Sequence, residues 1–458
     1  MLAKRFPQRS AIAEVRDQAA QIAPGDAADA TVRVAGRIMA KRDLGQLVFL
    51  DLVDRSGRIQ LHCPSGVAPA VAGASVGDIA GVAGAPGRTK RGEPSLFVVE
   101  GELLAKIRRP LPDTFHGVTD PEVRYRKRYL DLLMNEESRR DAMLRARMVS
   151  SIRGYLDSEG FVEVETPILQ PRYGGAFAEP FVTHSNLLDE DLFLRIADEL
   201  YLKRLIVGGL EKVYELAKDF RNEGSSYKHS PEFTQLEWYE AYADYEDTME
   251  RIESLVERTA DASIGGTKVN FRGHDVELAA PWQRVRFTDT LEAAGVWTRD
   301  VDELRARLEE RGVDISHDRT WPQLLDHAYS TFVEPELVHP TIVYDWPIEM
   351  SPFARTTDDD PSLVERFETV VGGMEFSNAF SELNDGREQA QRFAMQQAER
   401  AAGDPTAEAG DPDYVEALSY GMPPTGGLGV GIDRLAMIIG GKDSIRDVIL
   451  FPALRERA

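Results

Sequence analysis

Two stretches near the middle of the chain, VYELAKDF (213–220) and EFTQLEWYE (232–240), alternate side-chain character with a period of two. That alternation predicts two strands, and the RNEGSSYKHSP between them, with its Ser, Gly, His and Pro, predicts a connection. On the second strand Phe233, Gln235, Glu237 and Tyr239 share a face, because successive strand side chains point to opposite sides. At about 3.3 Å per residue, Phe233 and Glu237 lie roughly 13 Å apart. An aromatic platform at one end of a face and a carboxylate at the other suit a long, two-ended molecule. The connection is longer than ordinary hairpin loops, which points to function or disorder.

The same reading organises the rest of the chain. Residues 1–30 predict a helix and a polar lead-in. From TVRVAGRIMAKR through LVFLDLVDRSGRIQLHC, then DIAGVAGAPGRT and PSLFVVEGELLAKI, short strands alternate with turn signals. Residues 31–109 therefore form a small all-β unit of about five strands, compatible with an OB-type barrel. The Pro- and Asp-rich stretch at 110–120 reads as a linker. Periodic apolar positions in RYLDLLMN and DAMLRARMVSSIRGYLDSEG predict helices over 121–160. From FVEVETPILQP onward strands and helices mix without βαβ alternation. This predicts an α+β domain over 121–458, with a mainly antiparallel sheet flanked by helices. Residues 270–340 form a partly helical insertion containing the amphipathic VDELRARLEERG, and the acidic 401–413 reads as a mobile loop.

Composition narrows the function classes. With 458 residues and 42% hydrophobic content, the chain can fill two or three cores. No run of about 18 apolar residues predicts a membrane span, and the N-terminus is too polar for a secretory signal. The single cysteine, Cys63, excludes an internal disulfide framework and fits a cytoplasmic protein. No Cys/His cluster resembles a zinc site. The net charge is −23, but residues 31–109 carry twelve Lys and Arg against seven Asp and Glu. A basic module on an acidic body suits contact with phosphates, and chance variation among surface charges explains it equally well. Neither a Walker A sequence nor a GxGxxG after a strand is present.

Three segments read together resemble, in order, motifs 1, 2 and 3 of the class II aminoacyl-tRNA synthetases: EVETPIL (163–169), the strand pair above, and GGLGVGIDRLAM (426–437). With RIADELYLKRLIVGG, NAFSELND and GMPPTGGLGVGIDR, the resemblance is closer to the bacterial lysyl-tRNA synthetases of class II, and it runs from about residue 30 to IRDVILFP. It implies an N-terminal OB-fold anticodon-binding barrel followed by a class II catalytic domain. The implied reaction joins lysine to ATP as lysyl-adenylate, then transfers lysine to the 3′ end of tRNA(Lys).

The resemblance assigns roles by position. Arg221 would contact the α-phosphate and Arg434 the γ-phosphate, with His229 assisting on the phosphate tail, Phe233 stacking on adenine and Glu223 meeting its amino group. Glu368 and Glu375 would hold Mg²⁺, whose preference for oxygen ligands and substrate phosphate suits carboxylates. Gly175, Glu199, Glu237, Tyr239, Asn378 and Glu382 would recognise lysine. Arg42, Phe49 and Gln60 would read the anticodon, the aromatic by stacking and the polar groups by hydrogen bonds. Taken alone, a Phe in the apolar LVFLDL fits the barrel interior as well. The region after Pro167 would build a homodimer interface. The chain departs from many relatives at Asp198, Ser230 and Glu179, where Pro, Asn and Arg are usual, and none of these is an implied direct ligand.

Alternatives share parts of this plan. An aspartyl- or asparaginyl-tRNA synthetase has the same two domains, but Glu199, Glu237 and Glu382 oppose an anionic substrate. A relative that modifies a protein lysine usually lacks the basic N-terminal domain. A non-catalytic nucleic-acid binder has no use for Arg221, Glu375 and Arg434.

Overall fold

The computed structural model describes residues 4–64, 66–112, 117–401 and 410–455. Most of the acidic 401–413 stretch, and 113–116 of the expected linker, lie outside the described residues. The chain divides into two compact units, Met1–Pro121 and Glu122–Ala458.

The first unit is a closed five-stranded barrel built from β1 (Val32–Asp43), β2 (Leu47–Val53), β3 (Arg58–Pro64), β4 (Ile79–Arg88) and β5 (Pro94–Ala105), in the order β1-β2-β3-β5-β4. Only β3 and β5 pair in parallel. Closure leaves no unpaired sheet edge. The period-two pattern sends Val48, Leu50, Leu52, Ile59, Leu61 and Cys63 inward. Helix α1 (Ile12–Ala20) adds Ile12, Val15 and Ala19 to the same core.

The second unit centres on an eight-stranded sheet. Its strands are β6 (Val162–Glu163), β7 (Lys212–Phe220), β8 (Glu232–Ala241), β9 (Gln283–Arg286), β10 (Thr341–Pro347), β11 (Leu363–Val370), β12 (Glu375–Ser381) and β13 (Thr425–Gly431). Their order is β9-β10-β11-β12-β13-β8-β7-β6, and every pairing is antiparallel except the two at the edges. Helices α2 (Glu136–Ser158), α4 (Tyr245–Ile264) and α5 (Ile432–Gly440) cover one face, while α3 (Glu199–Val207) belongs to a separate cluster with Val213 and Tyr239. The start of α4 is fixed by Asp244, which accepts from the backbone of Glu246 and Asp247 while Asp247 reciprocates.

Strand β8 decides what each face does. Leu236 and Trp238, both fully buried, join the core beneath α2 and α4, so Glu237 and Tyr239 are turned to the opposite face. The segment expected as an insertion is woven into the sheet. It supplies edge strand β9, and its helices Phe287–Ala293, Val301–Glu310 and Trp321–Phe332 form their own core against Val343 and Trp346 of β10.

Candidate active site

A cavity of about 610 Å³ opens on the face of the sheet away from α2 and α4. Its floor is β8 with β13 beside it. Register places Tyr239 opposite Gly427, Glu237 opposite Gly429 and Gln235 opposite Gly431. A β-carbon at Gly427 would stand 2.0 Å from Glu382 Oε1, and one at Gly429 would stand 2.8 Å from Gln235 Nε2. The Gly-rich run is thus what leaves room above the floor. Gly175 enters from the side in a left-handed conformation, φ +88°, and a β-carbon there would meet that of Glu199 at 3.1 Å.

Strand β7 lies on the other side of β8, with Asp219 opposite Phe233 and Glu215 opposite Glu237. Glu215 and Asp219 therefore share the face of Glu237, a consequence of the alternation in VYELAKDF that the sequence reading did not use. Buried Arg195 bridges them, at 2.7 Å from Glu215 and 3.1 Å from Asp219.

Behind the carboxylate-rich end of the cavity sits a protein lysine that sequence reasoning missed. Lys203 is fully buried on α3, one turn beyond Glu199. Its Nζ lies 2.5 Å from Glu199 Oε1, it is ion-paired with Glu382, and the rings of Tyr239, Phe353 and Phe380 surround it at 5.1–5.8 Å. Burial pulls the Lys203 pKa down, but the two carboxylates outweigh it and keep the ammonium charged. The i,i+4 spacing of Glu199 and Lys203 was the available signal.

Glu237 is in a different state. It accepts from Gln235 Nε2 at 2.7 Å and from the Tyr239 hydroxyl at 3.0 Å, and none of the described residues forms an ion pair with it. Burial first, and then the negative charges of Glu199 and Asp219, push its pKa up to about 8. Of the residues expected to recognise lysine, Gly175, Glu199, Glu237, Tyr239 and Asn378 line the cavity, while Glu382, 2% exposed, stands behind as the partner of Lys203.

The opposite end is basic. Arg221, Glu223, His229, Phe233 and Arg434 all line it. The Arg221 guanidinium lies over the Phe233 ring at 5.1 Å. Arg434, in the first turn of α5, donates to the Glu375 carbonyl at 2.9 Å and is ion-paired with its carboxylate. The cavity wall's desolvation, then Arg434 and Lys228, push the His229 pKa down to about 4, so the imidazole is neutral at pH 7. Glu368 pairs with Arg366 at 2.6 Å, and Arg366 also donates to Asn378 at 2.9 Å. Burial raises the Glu368 pKa to about 8; Arg366 opposes the rise, while Glu375, Asp326 and Glu334 add to it. This concentration of hard oxygen donors fits a divalent cation such as Mg²⁺. Of the three departures, Ser230 lines the cavity, Glu179 is exposed and Asp198 is completely buried.

In the barrel, Phe49 is half-buried between inward-facing Val48 and Leu50, so it stands on the outer face. Arg42 lies across from it with its guanidinium 5.6 Å from the ring. His62 meets Phe49 edge-on at 5.4 Å, and Phe97 follows at 4.7 Å, extending the aromatic row by two residues that the sequence reading did not select. Gln60 shares the outward face but is 8% exposed, its Oε1 accepting from Ser95 Oγ at 3.2 Å.

A buried sheet with a cavity over its antiparallel middle, preceded by a closed barrel, defines a two-domain class II synthetase plan. Residues 120–455 match the family described as tRNA synthetases class II (D, K and N), and residues 32–104 match the OB-fold nucleic acid binding domain. The chain belongs to the class II tRNA synthetases of this group. It is 47% identical over 438 residues to a lysine–tRNA ligase of Carboxydothermus hydrogenoformans, covering 94% of this chain and 90% of that protein. Proteins of the same name from Shouchella clausii (48% identical, 94% and 87% covered) and Haemophilus influenzae strain PittEE (47%, 93% and 88%) are similarly related. No helix among the described residues is long and apolar enough to cross a membrane.

Replacing Lys203 by Met should leave Glu199 and Glu382 uncompensated and destabilise the catalytic unit by about 3–5 kcal/mol. Adding Glu382→Gln should recover part of that loss. Urea denaturation followed by circular dichroism measures both.

Proposed function

We propose that the chain is a lysine–tRNA ligase. The lysine carboxylate attacks the α-phosphorus of ATP, a new P–O bond forms, the bond to the β-phosphate oxygen breaks, and pyrophosphate leaves. A terminal ribose hydroxyl of tRNA(Lys) then attacks the adenylate carbonyl, giving lysyl-tRNA and AMP. The observation that carries the choice of amino acid is Glu237, a 3% exposed carboxyl facing the cavity with no ion-pair partner among the described residues. A substrate ammonium completes it. An aspartate side chain would meet Glu199 and Glu237 with like charge, and the nearby Lys203 is already shared between two carboxylates.

In this reading Glu237 and Tyr239 meet one charged end of lysine. Glu199, Asn378 and the backbone at Gly175 shape the wall around it, and Glu382 sets that wall's charge through Lys203. Arg221 takes the α-phosphate and Arg434 the γ-phosphate, replacing their present partners with phosphate oxygens of greater charge. Adenine takes the Phe233 face and Glu223 its amino group. Neutral His229 donates or accepts a hydrogen bond on the phosphate tail without adding charge. Glu368 and Glu375 would hold Mg²⁺, which would supply neutralisation of phosphate charge. Arg42, Phe49 and Gln60 bind the anticodon, with the row through His62 and Phe97 supporting stacking. Cytoplasmic location agrees with the lone buried Cys63.

A homodimer formed through the region around Pro167 accounts for Val162, Ile168, Leu169 and Val182, which are 43–61% exposed. Sedimentation should give twice the chain mass at micromolar concentration, and a monomer there would refute the dimer.

Pyrophosphate exchange run with each of the twenty amino acids should respond to lysine alone. Glu237→Gln should raise the lysine KM at least 30-fold, from the loss of about 2–5 kcal/mol in a desolvated charge pair, with the ATP KM nearly unchanged. Equal exchange by the two proteins at limiting lysine overturns the assignment.

Phe49→Ala should weaken tRNA charging about 5- to 150-fold, the worth of one stacked base, and leave lysine-dependent exchange intact. The effect should shrink on a tRNA with a substituted central anticodon base. A variant that loses exchange and charging together would place Phe49 among the structural residues.

A further inference from the structure

Asp198 opens helix α3 but does not cap it; its side chain accepts no hydrogen bond from the helix backbone. It is 0% exposed, and neither of its carboxyl oxygens has a hydrogen-bond donor. One oxygen each from Asp198, Asp219 and Glu237 lie within 4.8 Å of one another. Arg195 compensates Asp219 and Glu215. Lys203 compensates Glu199 and Glu382. Asp198 and Glu237 are left as two neighbouring carboxyls with no ion-pair partner among the described residues, the charge of Arg195 reaching Asp198 only at longer range. In the empty site such neighbours favour the state in which one of them carries a proton and shares it with the other.

We propose that Asp198 and Glu237 form a proton-sharing carboxyl pair behind the amino-acid end of the cavity, and that binding the cationic substrate releases that proton. Asp198 is a positioning residue in this arrangement: only Glu237 reaches the cavity, and Asp198 sets how much charge it presents. The proposal rests on lysine being the substrate. When the substrate ammonium arrives beside Glu237, the proton moves to solvent and the pair becomes fully anionic, one charge for the ligand and one directed at the neighbourhood of Arg195 and Lys203. In the empty site, burial and then the charges of Glu237, Asp219 and Glu215 push the Asp198 pKa well up against the opposing charge of Arg195, while burial, Glu199 and Asp219 bring that of Glu237 to about 8. The other groups facing the pair are Tyr239 and Gln235 on β8, Asp219 (raised to about 6) and Glu215 on β7, Glu199 and Lys203 on α3, Arg195, and Glu382 after β12.

The sign follows directly. A group protonated in the empty site and ionised in the complex makes binding stronger as pH rises, until the empty-site pKa is passed. Lysine binding to the full-length protein, without ATP, should tighten by up to about tenfold per pH unit between pH 6 and 7.5 and level off above 8. Calorimetry at pH 7 in buffers of different ionisation enthalpy should register release of about one proton. Asp198→Asn supplies an amide donor to Glu237 in place of the shared proton, so its slope should fall below about twofold per unit and its proton release towards zero. Equal slopes in the two proteins, or a flat profile without proton release in the wild type, overturn the proposal. The wild-type measurements decide it alone where the variant does not fold. Absence of lysine-dependent binding and pyrophosphate exchange at every pH instead removes the lysine reading, and the proposal with it, whereas normal exchange with a flat profile removes only the carboxyl pair.

Discussion

The ammonium of Lys203, held out of water between Glu199 and Glu382, is the constraint around which the catalytic unit is arranged. A bare cation in that position would be expelled or deprotonated, and two bare glutamates would repel. Together they are tolerable, and the geometry they require fixes α3 against the end of β12. Once those three charges are satisfied internally, Glu237 is the carboxyl on that wall that still has an electrostatic opening towards the cavity. Selectivity for a cationic guest is therefore a remainder: the charge left after the scaffold has balanced itself.

The basic end is organised by the same logic with the sign reversed. Arg366 is held by Glu368 two residues along β11, and Arg434 on α5 by Glu375 at the start of β12, so both cations and both carboxylates are positioned before any ligand arrives. Charges held in place beforehand lose little freedom when a charged ligand exchanges partners with them. In the barrel, electrostatics gives way to shape: Val48 and Leu50 point in, so Phe49 points out beside Arg42 and His62.

Much of this was legible in the chain. The period-two pattern of EFTQLEWYE separated Leu236 and Trp238 from Phe233, Gln235, Glu237 and Tyr239, and that division is the one the sheet makes between core and cavity. The five barrel strands were readable for the same reason. What escaped depends on contacts between distant segments. Arg195, just past a strand of a smaller sheet, reaches Asp219 on β7, and Arg366 meets Asn378 across the β11–β12 pair, contacts that no local periodicity announces. Lys203 was passed over, since its spacing from Glu199 is local but its contact with Glu382 is not. Gln60 shows the converse: its strand position was readable, but not its bond to Ser95. The 270–340 segment read as an insertion because a four-residue edge strand, Gln283–Arg286, carries little periodicity of its own.

The floor under the amino-acid end carries a last implication. Glu382, Tyr239 and Gln235 can pack down onto it only because side-chain atoms are missing at Gly427 and Gly429. Every coding change at either position adds at least one carbon, and at Gly427 that carbon would fall on Glu382 and the Tyr239 ring. Cavity walls can drift through conservative exchanges and adjust selectivity by degrees. At Gly427 there is no neighbouring variant to drift through, so there the site can be reshaped only from the sides.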